Sequence, residues 1–507
     1  MKTARPRADE LRGHLDTLLR HCIQCGLCLP TCATYLATGS EVQSPRGRLL
    51  LLGELLADRA SGARSPFTGD TRGGPSADVV TAFDLCLGCR ACETACPSGI
   101  SPELLDYAKE LAAERLGTGR KLLARDLSRR SSLSRLRGMA LGTRSVLKRV
   151  FGANWRQRLS GQPEFLRRWI YRVSVLPTEP TDDMAVKRLL DELVEETIRA
   201  EERQQAVDKN RIAAGIPTVL GMTASKTQTN ATLWFQVEAG QKSVPEVEPG
   251  QQSSDPAVTE RRDPAVTPAN GPTVAFFRGC ANDVLLPGAA ERLQRLLEAA
   301  GCQVHTPSGL ECCGALDRHT GRPSHADELR AKNAAVLFAF QDSWQYVVVE
   351  AAGCGLELKH YPTEIAPHVR DASELLAVLE LPPARPVPLK VVLHDPCHAR
   401  HGQGIAEQPR HLLQNIPALI LLEPEEPEVC CGSGGTYSLF HPEFAAEMGR
   451  RKAEKLAATG ADLVVTTNPG CLGQIASGLA VIAPELPILP LSDLLWYAHV
   501  LPQDVAQ

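Results

Sequence analysis

The pattern of apolar and polar positions predicts two kinds of territory. In the C-terminal half, short β-rich apolar runs alternate with stretches of helical period. Thr273–Phe277 and Tyr346–Glu350 read as strands, with a helix predicted from Pro287 to Ala300. Leu389–Leu393 and Leu463–Thr467 repeat the theme, with helices near Ile405–Asn415 and over Pro442–Thr459. Strands alternating with helices predict parallel sheets covered by helices. Nearer the N-terminus the signals are helical. Ser44-Pro45 reads as an N-cap with proline at the first helical position, leading into Leu49–Asp58, and Ser101-Pro102 does the same before Leu104–Leu116. Thr181–Lys209 reads as one charged helix with Leu189, Leu190, Leu193 and Ile198 at helical spacing.

Two stretches lack that periodicity. Ser61–Ser76, rich in Gly, Ser, Pro and charge, reads as a loop. Ser243–Pro272 holds six prolines and repeats Asp-Pro-Ala-Val-Thr at Asp255 and Asp263. It has too little apolar surface to offset the entropy of ordering and reads as a disordered linker. A length of 507 residues favours several domains. The expected division is 1–119, 120–242 as a connecting region, the linker 243–272, and two further units at 273–388 and 389–507.

Charge changes the picture locally. The net charge of −4 gives no overall field toward nucleic acid or membrane. Arg120–Arg172, however, carries 15 Lys and Arg against only Asp126 and Glu164, with Trp155, Phe165, Trp169 and Tyr171 interleaved. Docking on an acidic partner or anionic membrane surface and a merely solvated helical face both fit this segment. No nucleic-acid recognition motif accompanies it. The apolar run Pro469–Pro484 is too short to span a bilayer and contains Pro, Gly, Ser and Gln. Met1–Arg20 lacks the apolar core of a secretory signal. The expected location is therefore cytoplasmic, peripheral at the inner face of the cell membrane at most.

The candidate chemistry lies in 17 cysteines. A disulfide scaffold is the competing reading, but the number is odd and the spacings are those of metal ligands. Cys22, Cys25, Cys28 and Cys32 form one C-x2-C-x2-C-x3-C run, and Cys86, Cys89, Cys92 and Cys96 form another, each position 64 residues after its counterpart. Three thiolates two residues apart wrap three corners of an iron–sulfur cubane. The fourth cannot reach the same cube and serves the other one, as in two-cluster ferredoxins. The expected ligand sets for two [4Fe–4S] clusters are thus Cys22, Cys25, Cys28 and Cys96, and Cys86, Cys89, Cys92 and Cys32. Zinc sites favour two separated CxxC pairs instead. Pro97 follows Cys96 as usual in ferredoxins, whereas Ala33 follows Cys32.

A second duplication occupies the C-terminal half. Cys280, Cys312, Cys313 and Cys354 recur as Cys397, Cys430, Cys431 and Cys471, at offsets of 117, 118, 118 and 117 residues. A repeat this regular implies two copies of one unit. Cys280, Cys354, Cys397 and Cys471 each follow a predicted strand, where parallel sheets place their ligands. They can converge on a cofactor at one sheet edge, which makes these eight residues candidates for additional iron–sulfur binding. Gly314, Gly432, Gly434 and Gly435 permit close approach to a bulky group. Paired buried core cysteines are the bland alternative. Cys302 falls outside both patterns and reads as a small buried residue. His394, Asp395 and His398 surround Cys397 and read either as groups tuning a cluster or carrying protons, or as structural residues.

Glu311-Cys312-Cys313-Gly314 and Val429-Cys430-Cys431-Gly432 resemble the cysteine-rich domain of heterodisulfide reductase-related proteins. Joined to the N-terminal cysteine runs, and with Ser44-Pro45-Arg46-Gly47-Arg48, Ala352-Gly353-Cys354-Gly355 and Ser433-Gly434-Gly435-Thr436-Tyr437, the layout resembles iron–sulfur subunits of bacterial glycolate oxidases. The resemblance implies a multidomain α+β and α/β chain, with an N-terminal helical two-cluster ferredoxin-like domain and a duplicated α/β cysteine-rich domain. It further implies an oxidoreductase subunit, not catalytic alone, that takes electrons from FAD on a flavoprotein partner toward a quinone-type acceptor. No glycine-rich dinucleotide fingerprint follows a predicted strand here. The CxxC that ends each repeat of the heterodisulfide reductase catalytic subunit is absent, since Gly355-Leu356-Glu357 follows Cys354 and Leu472-Gly473-Gln474 follows Cys471. A catalytic thiol–disulfide reductase, a carrier subunit for lactate or glycerol 3-phosphate, and a regulatory cluster sensor are the alternatives.

Overall fold

The structure is a computed structural model. It describes residues 22–56, 77–99, 183–213 and 271–501 apart from 287, 341 and 342, with single helical positions at 109, 112, 135, 138, 139, 143 and 149. The loop expected at Ser61–Ser76, nearly all of the linker and almost all of the basic segment lie outside the described residues, as does most of the helix expected over Leu104–Leu116.

The N-terminal cysteine runs are carried between short helices: α1 (Ala33–Thr38), α2 (Pro45–Leu56), α3 (Ala77–Asp84) and α4 (Ala91–Thr94). Helix α2 starts at Pro45, because proline has no amide hydrogen to waste in a first turn. The Ser44 hydroxyl accepts from the Gly47 amide at 3.0 Å and closes that turn. Helix α5 (Asp183–Ala213) is charged, but Val186 and Leu190 on one stripe are buried and Leu189, Leu193 and Val194 pack beside them. Ile198, expected on the same stripe, is exposed.

Two parallel four-stranded sheets follow. The first contains β1 (Thr273–Phe276), β2 (Gln303–His305), β3 (Tyr346–Val349) and β4 (Val369–Asp371) in the order β2-β1-β3-β4. Its helices are α6 (Cys280–Leu285), α7 (Ala289–Ala299), α8 (Ala315–His319), α9 (Pro323–Ala339), α10 (Ala352–Leu358) and α11 (Ala372–Leu376). The second contains β5 (Lys390–His394), β6 (Ile420–Leu422), β7 (Leu463–Thr466) and β8 (Ile488–Pro490) in the order β6-β5-β7-β8. Its helices are α12 (Cys397–Gln403), α13 (Glu407–Gln414), α14 (Tyr437–Phe440), α15 (Pro442–Ala457), α16 (Pro469–Ile482) and α17 (Leu491–His499). The identical strand order makes each sheet one copy of the duplicated unit. The strands and helices predicted in the repeats occur with ends shifted by at most two residues, where capping rather than hydrophobicity decides the last position.

The period of two along each strand sorts side chains between two cores. Val274, Phe276 and Val348 of the first sheet and Val391, Leu393, Leu463 and Val465 of the second enter one shared core. Val186 and Leu190 of α5 and Trp496 of α17 complete it. The opposite face of the first sheet sends Ala275, Phe277, Val347 and Val349 against α9, and the opposite face of the second sends Val392 and Val464 against α15 and α16. Strands buried on both faces read as near-continuous apolar runs, which is why Tyr346–Val349 and Leu463–Thr466 do.

The repeats also exchange helices. Helix α10 of the first packs on α12 of the second, and α6 of the first on α16 of the second. Helices α7 and α17 pair in the same crossed way, as do α11 and α13. One buried ion pair fastens the α7–α17 contact: Arg292 Nε and Nη2 donate to Asp493 Oδ1 and Oδ2, both at 2.8 Å. The N-terminal region to Val194 and both repeats group as one compact unit, and Glu195–Thr267 groups separately. Among the described residues no helix is long and apolar enough to cross a membrane.

Candidate metal centres

Four cysteines of the N-terminal runs line one cavity. Cys32, Cys86, Cys89 and Cys92 surround it, with Ala33, Thr34, Pro45, Arg48, Leu87, Gly88 and Arg90 completing the wall. Cys92 is raised well above the ordinary thiol range by burial, with Cys89, Cys86 and Cys32 adding repulsion. Burial also raises Cys32, against the pull of the Arg48 guanidinium beside it. Arg48 is itself buried and fixed from three sides, donating to Ala82 O at 2.7 Å, Gln43 Oε1 at 3.0 Å and Thr34 Oγ1 at 3.1 Å. Its charge therefore sits permanently at this sulfur cavity. Cys28 is raised by burial first, with Cys32 and Cys22 among its neighbours. Cys25 is exposed and Cys96 half-buried. The structure thus brings Cys32 of the first run to three cysteines of the second.

The repeats each gather four thiols in a chain of contacts. In the first, Cys312 touches Cys280 and Cys313, and Cys313 touches Cys354. In the second, Cys397 Sγ lies 3.7 Å from Cys430 Sγ, and Cys431 touches both Cys430 and Cys471. Cys280 and Cys397 open helices α6 and α12, while Cys354 and Cys471 lie in the first turns of α10 and α16. The glycine after each cysteine pair is needed for shape. Gly314 and Gly432 have φ of 97° and 85°, and a Cβ on Gly432 would lie 2.8 Å from Met448 Cβ.

Crowding dictates what these sites need. Cys313 is raised well above the thiol range by Cys312, Cys354 and burial, whereas Cys312 falls because Cys280 and Cys313 donate to it. Cys397 is raised by Cys430 and then by burial. Cys431 is raised too: Cys430 acts to lower it, but Cys471 and burial outweigh that. Buried thiols that raise one another cannot all ionise without a cation among them. Four soft sulfur donors in a dry pocket suit an iron–sulfur cluster or zinc. The donor sets fit the group that the cysteine spacing implies.

The N-terminal cavity abuts the second repeat. Cys89 is raised well above its usual range first by the Cys430 thiol, which it contacts, and then by burial. Around that contact, Ala33, Leu87, Val429, Cys430, Tyr437 and Met448 pack as one apolar cluster. Ala33, where ferredoxins usually have proline, is therefore the first residue of α1 and part of this seam. Polar contacts border it. Gly88 O lies 3.1 Å from His398 Nε2, Thr94 Oγ1 lies 2.7 Å from His401 Nδ1, and Asp84 Oδ2 lies 2.9 Å from His441 Nε2.

The residues around Cys397 separate by role. Asp395 is structural: Arg410 clamps both its oxygens at 3.0 and 2.9 Å, and Arg400 adds a bond at 2.6 Å. His398 serves the seam and stacks on His319 of the first repeat, ring centroids 5.2 Å apart. His394 is buried beside Cys431 and Cys471, and burial with the Lys452 ammonium pushes it down to about 3. Cys302 is a buried core residue whose thiol burial pushes up to about 12. Sequence reasoning missed Arg48, His401, His441 and Asn468, whose amide donates to Cys471 Sγ at 3.2 Å. Arg48 falls within the Ser44–Arg48 stretch, and its charge beside an apolar run was the available signal.

Comparison with known proteins agrees with this geometry. Residues 274–359 and 391–476 each match the cysteine-rich domain family, and residues 18–100 match the 4Fe-4S dicluster domain family. The probable glycolate oxidase iron–sulfur subunit of Bacillus subtilis (strain 168) is 27% identical over 493 residues, 93% of this chain and 91% of the relative. The chain is a homologue of glycolate oxidase iron–sulfur subunits along nine-tenths of its length. A second such relative, the glycolate oxidase iron–sulfur subunit of Escherichia coli (strain K12), is 24% identical over 91% of both chains. Lactate utilization protein A of Oceanobacillus iheyensis is 26% identical, aligning with 44% of this chain and 96% of its own. These homologues and matched domains make the chain an iron–sulfur electron-transfer subunit of an oxidoreductase complex, with [4Fe–4S] clusters as cofactors.

Proposed function

We propose that this chain collects electrons from a flavoprotein subunit that oxidises glycolate or a related 2-hydroxy acid, and delivers them toward a quinone-type acceptor. FAD belongs to the partner. Cys86, Cys89, Cys92 and Cys32 hold one [4Fe–4S] cluster, and Cys22, Cys25, Cys28 and Cys96 the other. Cys280, Cys312, Cys313 and Cys354, and Cys397, Cys430, Cys431 and Cys471, hold further iron–sulfur centres. When bound, such clusters supply one-electron transfer at potentials set by charge, hydrogen bonds to sulfur and burial. The chain's own residues do the rest. Arg48 and the seam fix and dry the Cys89 side, and Asn468 hydrogen-bonds Cys471.

The observation that carries this reading is the contact between Cys89 and Cys430. It makes the N-terminal sulfur set and that of the second repeat contiguous. Glycolate is favoured over lactate because the two glycolate oxidase subunits align along nine-tenths of the chain, whereas lactate utilization protein A aligns with 44% of it. At the membrane the contact is peripheral, at the inner face.

Anaerobic purification of the full chain with whatever it binds tests the proposal. Two cubanes account for about eight irons per chain. We expect more than that, a flavoprotein in the complex, and bleaching of the iron–sulfur absorbance on adding glycolate. Bleaching by another 2-hydroxy acid alone would reassign the substrate. Iron no higher than about eight would leave the repeats without iron. A chain that never captures a flavoprotein would sink the assignment to this complex.

A further inference from the structure

The two repeats are equivalent in fold and in their four thiols, but not in the residue that closes the sulfur pocket. Cys280 and Cys397 are 117 positions apart, and the same step takes Phe277 to His394. The strand registers agree with that equivalence. Phe276 lies opposite Val348, so Phe277 lies level with Val349, as His394 lies opposite Thr466. Phe277 is buried in one apolar cluster with Cys313 and Cys354. His394 is as deeply buried, on the face of its sheet that carries Val392, Cys431 and Cys471. One of its ring nitrogens and the Sγ atoms of Cys431 and Cys471 all lie within 4.8 Å of one another.

Packing does not explain the imidazole. The first repeat shows that the fold closes this position with a hydrocarbon ring. A buried ring nitrogen without a partner costs free energy, and His394 Nε2 has no hydrogen-bond partner among the described residues. The residue before the α16 helix follows the same trend: Asn468, which donates to Cys471 Sγ, stands where the first repeat has Ala351. Two polar side chains thus face sulfur in the second repeat at positions where the first has Phe277 and Ala351.

We propose that His394 is a metal ligand, making the centre of the second repeat a mixed cysteine–histidine site while that of the first is closed by Phe277 and ligated by thiolates alone. The proposal rests on the reading that the repeats hold iron. An imidazole is a good ligand for iron and is neutral where a thiolate is an anion. A neutral imidazole at an iron that would otherwise take an anionic ligand raises the potential of an iron–sulfur centre. The centre that touches the N-terminal sulfur set through Cys89 and Cys430 is accordingly the more easily reduced of the two. The duplication then provides two unlike redox sites from one fold.

The test uses the full chain, purified anaerobically with 15N-labelled or unlabelled histidine, beside His394→Phe and His394→Cys. Phe is the residue the fold already accepts in the first repeat, and unchanged circular dichroism with intact N-terminal cluster signals would certify folding. We expect pulsed electron-spin resonance to show a histidine nitrogen coupling that changes with the isotope and disappears in His394→Phe. A redox titration followed optically gives a readout independent of spin state. One transition should move to lower potential in His394→Cys, with the others unmoved. Iron above about eight per chain, from four per cube, with no isotope-sensitive coupling and superimposable titrations would overturn the role of His394. Iron at or below that value would overturn the reading on which it rests, and the proposal with it.

Discussion

Arg292→Met isolates the ion pair that joins the two repeats. Both partners are fully buried, and Arg292 also lies 3.3 Å from Asp183 of α5 and over the Trp496 ring. Methionine keeps most of the aliphatic stem, so the change removes charge more than packing. What remains is the Asp493 carboxylate, buried without its partner. Breaking a buried pair from one side costs about 3–5 kcal/mol, whereas replacing both partners by apolar groups is often neutral or stabilising. Arg292→Met should therefore lose about 3–5 kcal/mol, and Arg292→Met with Asp493→Leu should recover most of it. The assay is equilibrium unfolding in urea under anaerobic conditions, followed by tryptophan fluorescence with Trp496 as the local probe. The loss should shrink on acidification, as the abandoned carboxyl takes up a proton. A single variant within about 1 kcal/mol of the parent, or a double variant no more stable than the single, would refute the reasoning.

Three further outcomes follow from particular side chains. Burial pushes Glu350 up to about 8, helped by Asp493 and Asp371 and opposed by bonds from Ser492. The native state then binds the extra proton, so stability falls as pH rises from about 4.5 toward about 8, and Glu350→Gln should flatten a thermal-unfolding profile over that window by a few kcal/mol. Gly432→Ala would force its Cβ against Met448 at a positive φ, and iron analysis should show loss from the second repeat with the N-terminal clusters retained. Leu87→Lys would place an ammonium in the seam around Cys430; N-terminal cluster signals should persist while rapid-mixing reduction of the repeats slows at least tenfold.

Local pattern carried much of this fold. Tyr346–Val349 and Leu463–Thr466 are legible as strands because burial on both faces demands apolar side chains in a row. The cysteines are legible because ligand spacing is a short-range constraint. Contact between distant segments is another matter. Nothing in Leu87-Gly88-Cys89 announces that it meets Val429 and Cys430, because one apolar residue in a loop has no period to read. His401 and His441 were silent for the same reason: each meets a polar atom of the N-terminal region from hundreds of residues away. The contrast of His394 with Phe277 was readable in principle, since aligning the repeats at their 117-residue step exposes it. Its meaning emerged only with the neighbouring sulfur atoms in place.

The crossed pairing of helices has a consequence for synthesis. Arg292 and Asp493 are separated by 201 positions. At about 5–20 residues per second, a ribosome needs roughly 10–40 s to travel between them. Throughout that interval the nascent first repeat has only Asp183 of α5 to receive the Arg292 guanidinium and lacks the helix that covers α7. It cannot mature alone, so a stalled or truncated product should stay open and be cleared by proteases before it becomes a half-built redox protein.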